Sequence, residues 1–382
     1  MADRSMIAYN IPALTGHEQD YLQQAIQNRR FSGDGPLTRQ CEKQLETMLG
    51  TAKVLLTPSC TAALEMAAML LNLVPGDEVI MPSFTFVSTA NAFALRGAKI
   101  VFVDIDPRTM NIDPSCVRAA ITPHTKAIVP VHYAGVGCDM DALMDIARES
   151  GVAVVEDAAQ GLMASYRGRP LGTIGDLGCL SFHETKNIHC GEGGALIVNR
   201  PELRQRAEIL REKGTNRARF LRGEIDKYTW VDVGSSYLPG ELSAAFLKAQ
   251  LEGADEITAK RLKIWHRYAT GLANSGFELP DVPSDCAHNA HIFWVKARDA
   301  DERDSLIASL RANAIQAPFH YVPLHPTPPG SKLGRFSGED RFTSRDAGRL
   351  LRLPLHITLT EDEQERVIDS LLRFSGRSGP AD

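Results

Sequence analysis

The stretch Val152-Ala-Val-Val-Glu-Asp-Ala-Ala-Gln160 decides how the chain is read. A short, continuous apolar run ends on two adjacent acids. An alternating strand keeps one face wet, whereas a continuous apolar run is covered on both faces, as in a parallel sheet between helices. In an open sheet of that kind the ligand lies outside the carboxyl ends of the strands. Glu156 and Asp157 therefore stand where chemistry would be. A carboxylate in such a crevice needs a cationic partner, although a helix cap or a structural salt bridge would satisfy the same pattern.

The same alternation extends outward on both sides. Residues 53–57, 78–81, 99–105 and 126–132 read as strands. Helical stretches at 59–73, 86–95, 113–121 and 140–150 separate them, with Pro114 at a first helical position. Upstream, Thr15-Gly-His-Glu18 has the capping-box pattern and opens a helix towards Arg30. A second helix from Leu37 to Leu49 stops at Gly50. Downstream, three further β-like runs are predicted at 172–174, 178–182 and 195–198. From Glu241 to about Leu272 the pattern is one long helix. Beyond the loop at 279–284, a strand at 292–297 and helices at 301–312 and 360–373 predict a smaller α+β unit. The division expected is an N-terminal arm and large domain over 1–250 and a small C-terminal domain over 251–382, with a disordered tail from Ser375.

Composition sets the outer bounds. The 382 residues are 43% apolar and 23% charged, with a net charge of −5. That allows a sizeable core and argues against a dedicated nucleic-acid binder, which carries a basic face. The seven cysteines include no CxxC pair, which disfavours a disulfide framework and a structural zinc site and points to a reducing compartment. No metal site is expected. The N-terminus lacks an apolar leader core, and the greasiest run, Leu64 to Val74, is too short to span a bilayer. A cytoplasmic location without membrane partners is the expectation.

Four places could carry chemistry. Thr57-Pro-Ser-Cys-Thr-Ala-Ala63 joins a strand to a helix through small hydroxyl residues, a setting for an anion such as phosphate that is also common in plain helix caps. Val154 to Gln160 supplies the strand-end acids. Ser181-Phe-His-Glu-Thr-Lys-Asn187, with Gly191-Glu-Gly-Gly194 behind it, sets a lysine after a strand. A lysine is usually a solvated charge, but in a cleft it becomes a nucleophile towards carbonyls. Phe84 or Phe86 could offer a platform for a flat ring, or simply fill the core. Each signal alone is modest. In chain order they are a phosphate cradle, a stacking aromatic, a strand-end Asp and a lysine. A pyridoxal 5′-phosphate (PLP) site needs all four.

The segments PSCTAALEMA, MPSFTFVSTANAF, VEDAAQG, SFHETKN and GEGGAL resemble the sugar aminotransferases of the DegT/DnrJ/StrS type. The resemblance runs from Gly33 to His325. It implies the fold-type I PLP architecture: α/β, with a mostly parallel seven-stranded sheet. It also implies roles. Lys186 would bond the PLP aldehyde, Asp157 would pair with the ring nitrogen, Gln160 would approach the 3′-oxygen and Phe86 would stack on the ring. Cys60, Thr61 and Ser181 would hold the phosphate. A homodimer with shared active sites is implied, Ser236 reaching across in place of the family's Asn. Leu238 stands where many relatives have an Arg, so Arg217, Arg219 and Arg222 become candidates for the donor carboxylate. Tyr133, His183, His320 and Tyr321 are further substrate candidates. The implied reaction transfers an amino group from L-glutamate to C4 of dTDP-4-keto-6-deoxy-D-glucose. It yields dTDP-4-amino-4,6-dideoxy-D-galactose and 2-oxoglutarate, in an envelope-polysaccharide or secondary-metabolite route. Alternatives are another nucleotide keto sugar, the other C4 epimer or a non-catalytic regulator. At the mouth of a helix, Cys60 is expected to have a lowered thiol pKa.

Overall fold

The computed structural model describes residues 5–376. The central sheet is built from β1 (Val54–Thr57), β2 (Glu78–Pro82), β3 (Lys99–Val103), β4 (Thr125–Ile128), β5 (Ala153–Asp157), β6 (Leu177–Ser181), β7 (Gly194–Val198) and β8 (Gly334–Phe336). Their order is β1-β7-β6-β5-β4-β2-β3-β8. Only β7 runs against the rest, antiparallel to β1 and to β6. The chain is thus α/β with the mostly parallel sheet expected of fold-type I. The seven strands of the expectation are joined by an eighth, β8, which comes from far along the chain and pairs in parallel with β3.

Burial explains the apolar runs. Along β1, Val54 and Leu56 belong to one core and Leu55 to the other. The pleat sends successive side chains to opposite faces, and helices cover both. Fully burying each such aliphatic contributes about 1.5–3 kcal/mol. Helix ends follow local chemistry. Pro36 opens Pro36–Leu49 and Gly50 closes it at φ 63°. Ser59 caps Cys60–Leu70 by accepting from the Ala62 N–H at 3.1 Å. At the Thr15 pattern the helix starts at Glu18, whose carboxylate accepts from the Thr15 and Gly16 N–H groups at 2.7 and 3.0 Å.

Two expectations are corrected. Residues 172–174 form no strand, because the N–H groups of Gly172, Ile174 and Gly175 donate to the Glu156 carboxylate at 2.6–2.8 Å instead of to a ladder. The helix from Glu241 is broken at Gly253 into Glu241–Glu252 and Ala254–Gly271. A third core gathers Trp265, Tyr268, Phe293, Leu351 and Val367 with Ile7 from the N-terminal arm. Most of the tail expected to be disordered lies outside the described residues.

Candidate active site

The topology brings the carboxyl ends of β1, β5 and β6, the loop after β2 and the start of β7 to one side of the sheet. Between them lies a cavity of about 590 Å³. Its lining includes Cys60, Thr61, Phe86, Asp157, Gln160, Ser181, His183, Lys186, His320 and Tyr321. These residues span over 260 positions of sequence, and each was a candidate from the sequence.

Asp157 ends β5. Its Oδ2 accepts from Thr89 Oγ1 at 2.7 Å and its Oδ1 from the Ala159 N–H at 3.2 Å. Thr85 lies 2.8 Å behind Thr89, hydroxyl to hydroxyl. Burial pushes the Asp157 carboxyl up, against the pull of these donors and of Lys186. Lys186 follows β6, and burial lowers its pKa although Cys60 and Asp157 favour the charged form. Among the described residues its amine pairs with no side chain. A buried carboxylate and an uncommitted, half-buried lysine in one cavity are groups poised to act, not groups in balance.

At the floor, the first turn of Cys60–Leu70 points into the cavity, with Ser59, Cys60, Thr61, Ser88 and Ser181 around it. Thr61 donates to Ser88 Oγ at 2.8 Å. Gly194 permits this closeness, since a Cβ there would stand 2.4 Å from the Cys60 nitrogen. The expectation for the Cys60 thiol is overturned. Burial, reinforced by Asp157, drives its pKa well above the usual value.

Phe86 caps its helix with its ring 57% exposed at the mouth. Phe84 is core, edge-on to Tyr133 with centroids 4.9 Å apart. Gln160 accepts from the Ala134 N–H at 2.7 Å and donates to Tyr321 Oη at 3.2 Å. His320 stacks on Tyr321 at 3.7 Å, and burial pushes its pKa down to about 2.

Several candidates do not meet here. Tyr133 is buried behind the His320–Tyr321 layer and outside the lining. Ser236 bridges to Glu212 in its own chain. Arg217 pairs with Glu212 at 3.5 Å, Arg219 with Glu224 at 3.0 Å and Arg222 with Glu208 at 3.0 Å. The lining adds others that sequence reasoning missed: Tyr9, Ser88, Thr89, His291 and Arg352. His291 donates through Nδ1 to Asn187 Oδ1 at 3.0 Å. Thr89 had a signal, a hydroxyl three positions past Phe86 on the same helical turn. Arg352 had none.

The donor set fits PLP. A helix mouth with clustered hydroxyls suits its phosphate, a buried carboxylate suits a protonated ring nitrogen, and a half-buried lysine without a side-chain partner suits its aldehyde. The comparisons agree. Residues 12–372 match the DegT/DnrJ/EryC1/StrS aminotransferase family. The chain belongs to that family. It is therefore a PLP-dependent sugar aminotransferase. The chain is 35% identical to GDP-perosamine synthase of Caulobacter vibrioides over 97% of its own length and 99% of that protein's. The crystal structure of the aminotransferase TlmJ from Streptoalloteichus hindustanus superposes with a TM-score of 0.90 at 32% identity, covering 97% of this chain and 99% of that one. DesI, solved in the presence of its TDP-sugar product, gives 0.89 at 30% identity over 98% and 94%. Among the described residues no helix is long and apolar enough to cross a membrane.

Proposed function

We propose that the aminotransferase acts on a nucleotide sugar, moving an amino group from L-glutamate to C4 of dTDP-4-keto-6-deoxy-D-glucose to give dTDP-4-amino-4,6-dideoxy-D-galactose and 2-oxoglutarate. The single observation that carries the transamination is the convergence of Lys186, Asp157 and the Ser/Thr-lined helix mouth on one cavity. The sugar and its nucleotide rest on the sequence resemblance. Relatives named for a GDP-sugar and for a TDP-sugar product both match this chain, so the base is the first point to test.

When bound, PLP supplies an aldehyde for the amine and a ring that takes up electrons from the adjacent carbon. The chain does the rest. Cys60, Thr61 and Ser181 would hold the phosphate. Asp157 would hold the proton of the ring nitrogen, Gln160 would approach the 3′-oxygen and Phe86 would cover one ring face. With the cofactor in place, the Lys186 amine would take the proton from Cα of the donor and hold it for return, and would run the same transfer in the opposite direction at C4 of the sugar. Its lowered pKa keeps more of it in the neutral form that can accept a proton. His183, His320 and Tyr321 line the space left for substrate. Two substrates alternating on one site give ping-pong kinetics. We further propose a cytoplasmic homodimer, in which Ser236 meets the partner's cavity. Trp230, 73% exposed, and Val231 and Val233 beside it are apolar surface that such a dimer would cover.

Purified protein should be yellow, and borohydride should fix the cofactor on the peptide carrying Lys186. Label on another lysine, or full turnover by K186A, ends the mechanism. Incubation with the dTDP- and GDP-linked 4-keto-6-deoxy sugars plus glutamate, followed by NMR, reads base and epimer together. An axial 4-amino group on the dTDP product supports the assignment. An equatorial one moves it to the other epimer.

A further inference from the structure

The mechanism above leaves the amino donor without an anchor. Its carboxylate sits on the very carbon that gives up a proton, so it enters the cavity beside Lys186. A carboxylate taken out of water must meet a cation and hydrogen-bond donors. The three arginines suggested by sequence are each paired with acids and lie outside the lining. Position 238 cannot help, because Leu238 is apolar and packs against Gly33, where an added Cβ would stand 2.6 Å from the Leu238 Cβ.

Arg352 is the cation that remains. It ends the short strand Leu350–Arg352, which pairs with Trp294–Lys296, and it lines the cavity together with Lys186. Its Nη1 donates to Tyr9 Oη at 2.7 Å and its Nη2 to the Phe319 carbonyl at 3.3 Å. The Tyr9 ring lies 4.4 Å from the guanidinium carbon. Its Nε is buried with no hydrogen-bond partner. Among the described residues no carboxylate pairs with it. Both acceptors are neutral, so they orient the guanidinium without cancelling its charge. A planar fork held in this way is suited to a carboxylate.

We propose that Arg352 is the specificity residue that receives the α-carboxylate of the amino donor, with Tyr9 as its positioning residue. The inference rests on the transaminase reading of the cavity. The diphosphate of the second substrate is a poorer match. It hangs from C1 of the sugar, across the ring from C4, whereas the donor carboxylate adjoins the reacting carbon. The charge of Arg352 is also felt at Lys186, His291 and His320, which places it at the reacting end of the cavity.

The test separates the two half-reactions of the holoenzyme by following cofactor absorbance in single turnovers. Wild type is compared with R352K and R352Q, and intact cofactor loading is checked by borohydride trapping. With L-glutamate, R352Q should lose about 100-fold or more in the second-order rate constant, since two charged hydrogen bonds are removed, and R352K should fall between. Reaction of the amine-charged enzyme with the keto sugar should change by less than about threefold. Butylamine, which has no carboxylate, should react equally with all three proteins. Equal loss in both half-reactions, or a glutamate rate that R352Q leaves unchanged, overturns the proposal. A wild-type holoenzyme inert to every amino donor would instead overturn the transaminase reading.

Discussion

Glu156 and Asp157 are neighbours on β5, both buried, and they live in opposite worlds. The pleat turns them to opposite faces. Glu156 accepts four hydrogen bonds: from His132 Nε2 at 2.9 Å and from the N–H groups of Gly172, Ile174 and Gly175. Asp157 accepts from one hydroxyl and one N–H, and its carboxyl is pushed up by burial. Both are acids at the end of one strand, and both would pass a count of buried charge. What separates them is satisfaction. A carboxylate whose lone pairs are filled holds structure together. One left short of donors in a cavity is kept for a ligand.

The sharpest way to break this contrast is to neutralise each acid. D157N should lower turnover by about 10²- to 10³-fold, the scale of losing one preorganised electrostatic contact at a reacting centre. The apoprotein should melt at the same temperature or slightly higher, because an under-satisfied buried charge is gone. Calorimetry beside steady-state kinetics checks both halves, and a large drop in melting temperature would mean Asp157 is structural. E156Q should do the reverse. His132 Nδ1 accepts from the Cys138 N–H at 3.1 Å, so the ring's proton is held on Nε2, facing Glu156. A glutamine amide must then set N–H against N–H, either at His132 and Gly172, which share Oε2, or at Ile174 and Gly175, which share Oε1. We expect a loss of about 3 kcal/mol in urea unfolding, while the folded fraction still captures cofactor at Lys186. A stable E156Q with impaired cofactor capture would erase the distinction.

The contrast also marks what sequence could and could not tell. The strand–helix alternation, Lys186, Asp157 and the Thr57–Ala63 cradle were legible because each is local: an apolar run, a strand end, a helix mouth. Glu156 and Asp157 looked alike because their difference is made by residues 172–175, of which 172–174 were expected to be a strand. The carboxylate captured their N–H groups, a long-range competition invisible to periodicity. β8 is three residues long with Arg335 exposed, too short to show a period. Arg352 lies 166 positions after Lys186 and joins it only through the packing of the C-terminal core, so no spacing could announce it.

A smaller effect sharpens the Asp157 side. Among the described residues Thr89 is its only hydroxyl donor, backed by Thr85. T89V keeps the shape and removes the bond. A net hydrogen bond to a charged group is worth about 1.5–3 kcal/mol. Turnover or cofactor affinity should therefore fall by about 10- to 150-fold, less than in D157N. Combining T89V with D157N should cost no more than D157N alone if Thr89 acts through that carboxylate, and additive losses would show that it has a separate role.

The gentlest test changes no residue. Burial holds the Lys186 amine below the ordinary lysine range. The unfolded chain keeps a normal lysine, so between the two pKa values it binds more protons than the folded one. On this account stability contributed at Lys186 rises with pH through that window and is lowest where the buried amine must carry charge. The same neutral fraction governs attack on an aldehyde. Apoprotein mixed with PLP across a pH series, then trapped with borohydride, should show capture that rises with pH and levels off below pH 10.5, the usual lysine value. In D157N the plateau should arrive at still lower pH, because the carboxylate that favours the charged amine is gone. In E156Q, on the other face of the strand, it should not move. A plateau at the ordinary lysine value in all three would show that the cavity leaves Lys186 solvated, and the difference between the two faces of β5 would then be one of packing alone.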